Sequence, residues 1–216
     1  MSKCFITGAD TNHEDLLPWW LYNVKKHNPN IDVMIWDFGL SLKMNEYLHK
    51  NNINVSPPLK HPINSWFYKP RALLETPYNH VCWIDADCEV LKPIDEIFDY
   101  ATSTKMALTK DLVRPMFWAT GVNVIKGKPD ILMRWVERCE NNPKGTRGDQ
   151  ECLGDMIGIT DDYIVEMPQE YQWLRLMLDR GYNSEDKKII HWTGPVGKEH
   201  IRTRLMNESK IYTNTK

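Results

Sequence analysis

Two carboxylates, Asp85 and Asp87, end the apolar run Val81-Cys82-Trp83-Ile84 and are separated only by the small Ala86. Carboxylates at i and i+2, carried through a tight bend, can address one divalent cation and the phosphates that it carries. A solvated turn shows the same pattern, so the pair gains meaning only from other positions. His191, closing the run Ile189-Ile190, can add a nitrogen ligand, although a surface or capping histidine reads the same way. A mixed oxygen and nitrogen set with room for phosphate oxygens and water suits Mn2+ or Mg2+ rather than a closed zinc site. Gly194 and Gly197 allow backbone to approach an anion closely, and Lys198 supplies a point charge for a diphosphate. Asp10 and Asn12 follow the first apolar run and can hydrogen-bond the edge of a nucleobase. Together these residue types describe a metal, diphosphate and nucleotide site.

The elements that must position them alternate. Lys3 to Thr7 reads as a strand breaking at Gly8, and Glu14 to His27 as a helix with Pro18 in its first turn and Asn28-Pro29 closing it. Strand Asp32 to Asp37, helix Lys43 to Lys50 and strand-like Ile53 to Val55 follow. A loop with Pro57, Pro58 and Pro62 then leads to a helix starting near Pro70. Val81 to Ile84 is the buried central strand, and Ile94 to Tyr100 is expected as a short helix capping the site. Met106 to Thr109 and Phe117 to Ile125 read as strands, and Ile131 to Cys139 as a helix with Trp135 inward. Gly145-Thr146-Arg147-Gly148 precedes a helix whose first turn carries Asp149 and Gln150; an N-cap explains Asp149 equally well. Tyr163 to Pro168 and Ile189 to His191 are late strands, and Gly194 to His200 is expected as a glycine-containing basic loop. The pattern gives an α/β fold with a mostly parallel central sheet flanked by helices. In such sheets ligands gather at the carboxyl ends of strands, where Asp10, Asp85 and His191 all fall.

At 216 residues the chain fits one domain spanning residues 1–216. A net charge of −2 gives no footprint for nucleic acid or for an anionic membrane. Five scattered cysteines without a C-x-x-C spacing fit buried reduced thiols. With no signal peptide or integral membrane segment read in the sequence, the expectation is a cytoplasmic protein. The oligomeric state is left open.

The segments F-I-T-G-A-D-T-N-H, M-I-W-D-F-G-L-S, V-C-W-I-D-A-D-C-E-V, A-T-G-V, D-Q-E and H-W-T-G-P-V-G-K occur in that order from Lys3 to Lys198. In order and spacing the chain resembles the retaining glycosyltransferases related to glycogenin and to bacterial lipopolysaccharide galactosyltransferases. The resemblance implies the GT-A fold, a UDP-sugar donor and Mn2+ (or Mg2+), with a hexose passed to a glycan or other hydroxyl acceptor. It places Gly8, Ala9, Asp10 and Asn12 at the uracil and ribose, and Lys69 at the donor with Arg71 as the alternative. Asp85, Asp87 and His191 become the metal ligands, with Asp85 also at the ribose and Ala86 beside the nucleotide. Thr120 and Gly121 lie under the donor sugar, Asp149 at its hydroxyls and Gln150 beside the anomeric carbon, while Gly194 and Lys198 hold the diphosphate. Ala119 stands where the family has asparagine, and Glu199-His200 replaces the usual Pro-Trp.

Rival readings predict different chemistry. A phosphatase of the haloacid dehalogenase type also places D-x-D after a strand, but it needs a downstream G-D-x-x-x-D that is missing here. A nucleotidyltransferase wants a basic, glycine-rich first loop, whereas Gly8-Ala9-Asp10 is acidic. A catalytically inactive module that binds nucleotide sugar or glycan shares every binding residue and differs only in turnover.

Overall fold

A computed structural model describes residues 2–59, 64–141, 147–160 and 162–208. Pro62, Gly145 and Thr146, which figure in the loops expected above, lie outside them. Seven strands form the main sheet: β1 (Lys3–Ala9), β2 (Asp32–Asp37), β3 (Asn54–Val55), β4 (His80–Ile84), β6 (Met106–Lys110), β7 (Trp118–Lys126) and β8 (Ile164–Glu166). Their order is β3-β2-β1-β4-β7-β6-β8, while β5 (Cys88–Val90), β10 (Ile189–His191) and β9 (Trp173–Leu174) form a second, small sheet in the order β5-β10-β9. The first four strands are parallel, β7 runs antiparallel to both neighbours, and β8 returns parallel to β6.

Both faces of the sheet are covered, which is why β4 reads as an unbroken apolar run rather than an alternating one. Successive residues feed opposite cores: Cys82 and Ile84 pack with α1 (Leu17–His27), while Val81 and Trp83 pack with α3 (Lys69–Glu75) and α4 (Asp130–Glu140). The remaining helices are α2 (Leu42–Lys50), α5 (Asp149–Ile157), α6 (Arg175–Asp179) and α7 (Gly194–Asn207). Trp135 of α4 is fully buried, as its spacing predicts, and its Nε1 donates to the Asp149 carbonyl at 2.8 Å, fixing the start of α5. All five cysteines are buried and unbridged. No helix among the described residues is long and apolar enough to cross a membrane.

Three expectations are corrected. β1 continues through Gly8 to Ala9, because Gly8 and Ala9 pair in register with Trp36 and Asp37 of β2. The 94–100 segment contains a 3-10 turn, Asp95–Asp99, that packs Phe98 against Phe5 (ring centroids 5.1 Å apart) beneath the sheet instead of capping the cleft. The glycine-containing stretch from Gly194 is the first turns of the 14-residue α7, not a loop. Pro195 is tolerated there because a first-turn amide needs no helical partner. Gly197 is required by contact: a Cβ on it would sit 1.9 Å from the Trp192 carbonyl oxygen.

One irregularity matters for the site. A single step along β6, from Leu108 to Thr109, corresponds on β7 to the span from Asn123 back to Ala119. Thr120, Gly121 and Val122 therefore have no opposite residue on β6 and form a bulge. Bulges re-aim side chains and backbone groups next to sites. Here the Gly121 carbonyl accepts from the Asp85 amide at 2.8 Å, tying the bulge to the D-A-D turn.

Candidate active site

A cleft of about 420 Å3 opens at the carboxyl ends of β1, β4 and β10, bounded by the β7 bulge and the first turns of α3, α5 and α7. The site residues expected from the sequence line it, except Asn12, Gly197, which is buried against the Trp192 carbonyl, and Arg71, the alternative to Lys69. Asn12 is exposed and turns back, its amide and side chain both donating to Asp10.

The corner expected to hold a metal is built from two elements. Asp85 and Asp87 occupy the turn between β4 and β5, and His191 ends β10, which is hydrogen-bonded to that turn by the Trp192 amide donating to the Asp87 carbonyl. His191 Nε2 lies 3.2 Å from Asp87 Oδ1 and 3.8 Å from Asp85 Oδ2. Cis ligands of an octahedral cation bound at about 2.0–2.1 Å are about 3 Å apart, so this donor set fits a hard divalent ion. His191 is no surface histidine, with its side chain 12% exposed. Gln172, whose Oε1 accepts from the Val122 amide at 2.7 Å, places Nε2 3.3 Å from His191 Nδ1 and turns the ring toward the aspartates. Gly121 makes room, since a Cβ there would lie 2.5 Å from Nδ1. Burial raises the Asp87 carboxyl, but His191 and Lys198 outweigh it and hold Asp87 well below the usual carboxylate range. Burial lowers His191, and Asp87 followed by Asp85 reverse this to leave it raised. Cys88, rather than Asp85, completes with Asp87 and His191 the group whose ligand atoms all lie within 4.8 Å of one another. Burial pushes its thiol far up, however, and a protonated thiol is a poor ligand. Lys198 Nζ rests 2.6 Å from Asp87 Oδ2.

Lys69 is the hub of the floor. Its buried ammonium has three donors, and three elements use them: Asp85 Oδ1 at 3.0 Å, Asp149 Oδ2 at 3.1 Å and the Thr120 carbonyl at 3.0 Å. Burial opposes the charge, but Asp149 and then Asp85 overcompensate, so Lys69 stays cationic. Asp85 also accepts from Trp83 Nε1 at 2.6 Å. Asp149 is not the cap of α5, a place taken by Gly148. Its carboxylate accepts from Thr120 Oγ1 at 2.9 Å, and burial, only partly offset by Lys69, raises its affinity for a proton. Arg71, the alternative to Lys69, points away to Glu140 and Glu75.

Gln150 sits beside Asp149. Its Nε2 donates to Asp111 Oδ2 at 2.8 Å and its Oε1 accepts weakly from the Thr120 amide at 3.4 Å. At the opposite end of the cleft, Asp10 accepts from Ser65 Oγ at 2.8 Å and lies 3.2 Å from His13 Nδ1. Burial raises the Asp10 carboxyl, and hydrogen bonds from Ser65, His13 and Asn12 bring it below its ordinary value. Ser65, His13, Trp66, Asp111 and Gln172 are site features that the sequence did not announce. Ser65 and Asp10 are 55 residues apart and Asp111 and Gln150 are 39 apart, distances over which no spacing rule applies.

The architecture is the GT-A fold of solved glycosyltransferases. The galactosyltransferase LgtC, solved in complex with donor and acceptor sugar analogs, is similar at a TM-score of 0.70 and 16% identity, over 94% of this chain and 95% of that one. An active-site glutamine-to-glutamate variant of LgtC aligns at a TM-score of 0.68 and 16% identity, over 95% of both chains. The glycosyltransferase GlyE of Streptococcus pneumoniae TIGR4 gives 0.73 and 14% identity, over 98% of this chain and 63% of that chain. The bifunctional glycosyltransferase WbbM gives 0.69 and 13%, over 98% and 51%. No family model and no curated protein matches the chain. Likeness at such identity fixes the fold and leaves the reaction to be argued from the residues.

Proposed function

We propose that this chain is a metal-dependent glycosyltransferase that moves a hexose from a UDP-sugar to a glycan or other hydroxyl acceptor with retention of configuration. The observation that carries the reading is the convergence of Asp85 and Asp87 with His191 at one end of a cleft whose other wall presents Asp149 and Gln150. A haloacid-dehalogenase phosphatase has no use for that histidine or for the Asp149-Gln150 wall, and the fold is a different one.

Asp85, Asp87 and His191 would hold Mn2+ or Mg2+, which supplies Lewis-acid charge to a departing diphosphate. Lys198 and the α7 start at Gly194 carry positive charge and free amides to the same leaving group, Lys198 exchanging Asp87 for phosphate oxygen. Gly8, Ala9 and Asp10 border the nucleoside end, and the β7 bulge at Thr120 lies beneath the sugar. As positive charge grows at the anomeric carbon, the Gln150 carbonyl oxygen and the Asp149 carboxylate stabilise it. A neutral amide is a poor nucleophile, so retention proceeds through a short-lived ion pair, with the acceptor hydroxyl entering on the face the diphosphate leaves. Its proton passes to the departing phosphate. That Lys69 spends its donors on Asp85, Asp149 and Thr120 makes it a brace of this site more than a donor ligand.

The experiment is incubation with a panel of UDP-sugars and Mn2+, following nucleoside diphosphate release. Metal-dependent release that falls by at least about 100-fold in Asp87→Ala supports the reading, in line with losses on removal of a charge-stabilising group. Tight UDP binding without turnover for any donor and a broad acceptor panel would establish a binding module instead. Proton NMR of the product's anomeric centre decides retention.

A further inference from the structure

Gln150 carries a side-chain amide with two unlike ends, an oxygen that attracts developing positive charge and an NH2 that repels it. Which end faces the sugar is set by neither helix geometry nor packing, since the two ends have the same shape. Asp111 sets it. This residue follows β6 directly, is 4% exposed, and makes four contacts with both of its oxygens. Oδ1 accepts the amides of Val113 and Arg114, each at 2.9 Å, which pins the carboxylate to its own loop. Oδ2 accepts Arg114 Nε at 3.2 Å and Gln150 Nε2 at 2.8 Å. Both Asp111 oxygens already accept from N–H donors, so the Gln150 atom against Oδ2 is the NH2, and its oxygen points the other way, toward the Thr120 amide.

Resting on the glycosyl-transfer reading above, we propose that Asp111 is a positioning residue of the reaction, which acts through Gln150 by dictating that the carbonyl end of its amide faces the anomeric carbon. Asp111 touches no reacting atom. It decides the sign of the dipole that does.

The substitution Asp111→Asn tests this with almost no change in shape. The amides of Val113 and Arg114 still need an acceptor, so the introduced oxygen takes the Oδ1 position and the introduced NH2 the Oδ2 position. Two NH2 groups would then meet, a clash that outweighs the long 3.4 Å bond from the Thr120 amide, and Gln150 turns over, presenting its own NH2 to the cleft. The first readout needs no turnover: the Gln150 side-chain NH2 signals in 15N-correlated spectra, identified by their loss in Gln150→Ala. In the parent these protons are bonded to a buried carboxylate; in Asp111→Asn they face open solvent and exchange with water at least about tenfold faster. The second readout is kinetic. Turnover falls about 10- to 100-fold while the Kd for UDP, which has no sugar to meet Gln150, stays within about twofold. Combining Asp111→Asn with Gln150→Glu keeps the pair's charge and puts an acceptor back toward the sugar, so it should recover turnover relative to Asp111→Asn alone.

Unchanged exchange of the Gln150 NH2 overturns the proposal, as does loss of turnover matched by equal losses in UDP affinity and melting temperature. If no donor turns over even in the parent, the glycosyl-transfer reading fails, and the exchange measurement still decides the amide's orientation. Should Asp111→Asn not fold, the exchange measurement is made on Arg114→Met instead. That change removes one Oδ2 partner but leaves Gln150's bond, and unaltered Gln150 NH2 protection there is required.

Discussion

Gly121→Ala is a way to move His191 without touching any proposed ligand. The new Cβ would lie 2.5 Å from His191 Nδ1, 2.6 Å from Cε1 and 2.8 Å from Gln172 Nε2. Ordinary contact begins near 3.4 Å, so the ring must retreat by about 0.9 Å, and a close-packed interior has no slack to absorb that. No flexible chain end is available to yield, because His191 is held by Gln172 and Gln172 by the Val122 amide. Overpacking of this kind costs about 1–3 kcal/mol of stability. The ring's retreat also disturbs the 3.2 Å placement of Nε2 against Asp87. Loosening a supporting contact of a metal ligand typically costs about 10- to 100-fold in affinity. Calorimetric titration with Mn2+, with and without UDP, should show a loss of this size in Gly121→Ala and one at least as large in His191→Ala. Urea unfolding of the same samples gives the stability term. A variant that loses the predicted stability yet binds Mn2+ as the parent does would refute His191 as a ligand.

Lys69→Met keeps the side chain's length and removes the charge shared by Asp85 and Asp149; stranding buried charges costs about 3–5 kcal/mol, and urea unfolding within 1 kcal/mol of the parent would contradict the bracing role. Lys69→Arg restores charge but not one nitrogen within 3.0–3.1 Å of three acceptors, so it should recover only part of that loss. Asp10→Asn probes the loop around Trp66: Asp10's carboxyl is lowered in the folded protein, so its contribution is present above the unfolded value of about pH 4 and is lost as pH falls through the folded value. The parent should be more stable than Asp10→Asn by about 1 kcal/mol at pH 6, after allowance for solvent screening, and the two should converge near pH 2; a gap independent of pH would assign the effect to packing.

The strands were legible where burial on both faces leaves a continuous apolar run, as at Val81 to Ile84, and the site was legible where a carboxylate or histidine ends such a run. Asp85, Asp87 and His191 are all of that kind. The α7 start misled because Gly194, Pro195 and Gly197 are breakers by local propensity, yet Pro195 is compatible with a first turn, Gly194 leads into it at a left-handed φ of +79° that favours glycine, and Gly197 answers to the Trp192 carbonyl rather than to its own backbone. Asp111 was invisible for a different reason. An aspartate after a strand reads as an ordinary turn residue, and its bond to Gln150 exists only once β6 and α5 have been folded together. The β7 bulge likewise leaves no trace in the alternation of Trp118 to Lys126, all buried but the last.

The three-way grip of Lys69 has a consequence for how such a chain could diverge. On the proposed reading, sugar choice would be retuned at Asp149, which that reading places at the hydroxyls, and cation choice at Asp85. Here one ammonium answers to both, so replacing Asp149 with a neutral side chain leaves the whole Lys69 charge to Asp85, and the converse holds. Donor specificity and metal preference would, on that reading, be inherited together. New sugar preferences would then be more easily reached from other cleft-lining positions, such as Arg114 and Arg147, than from the acid at the floor.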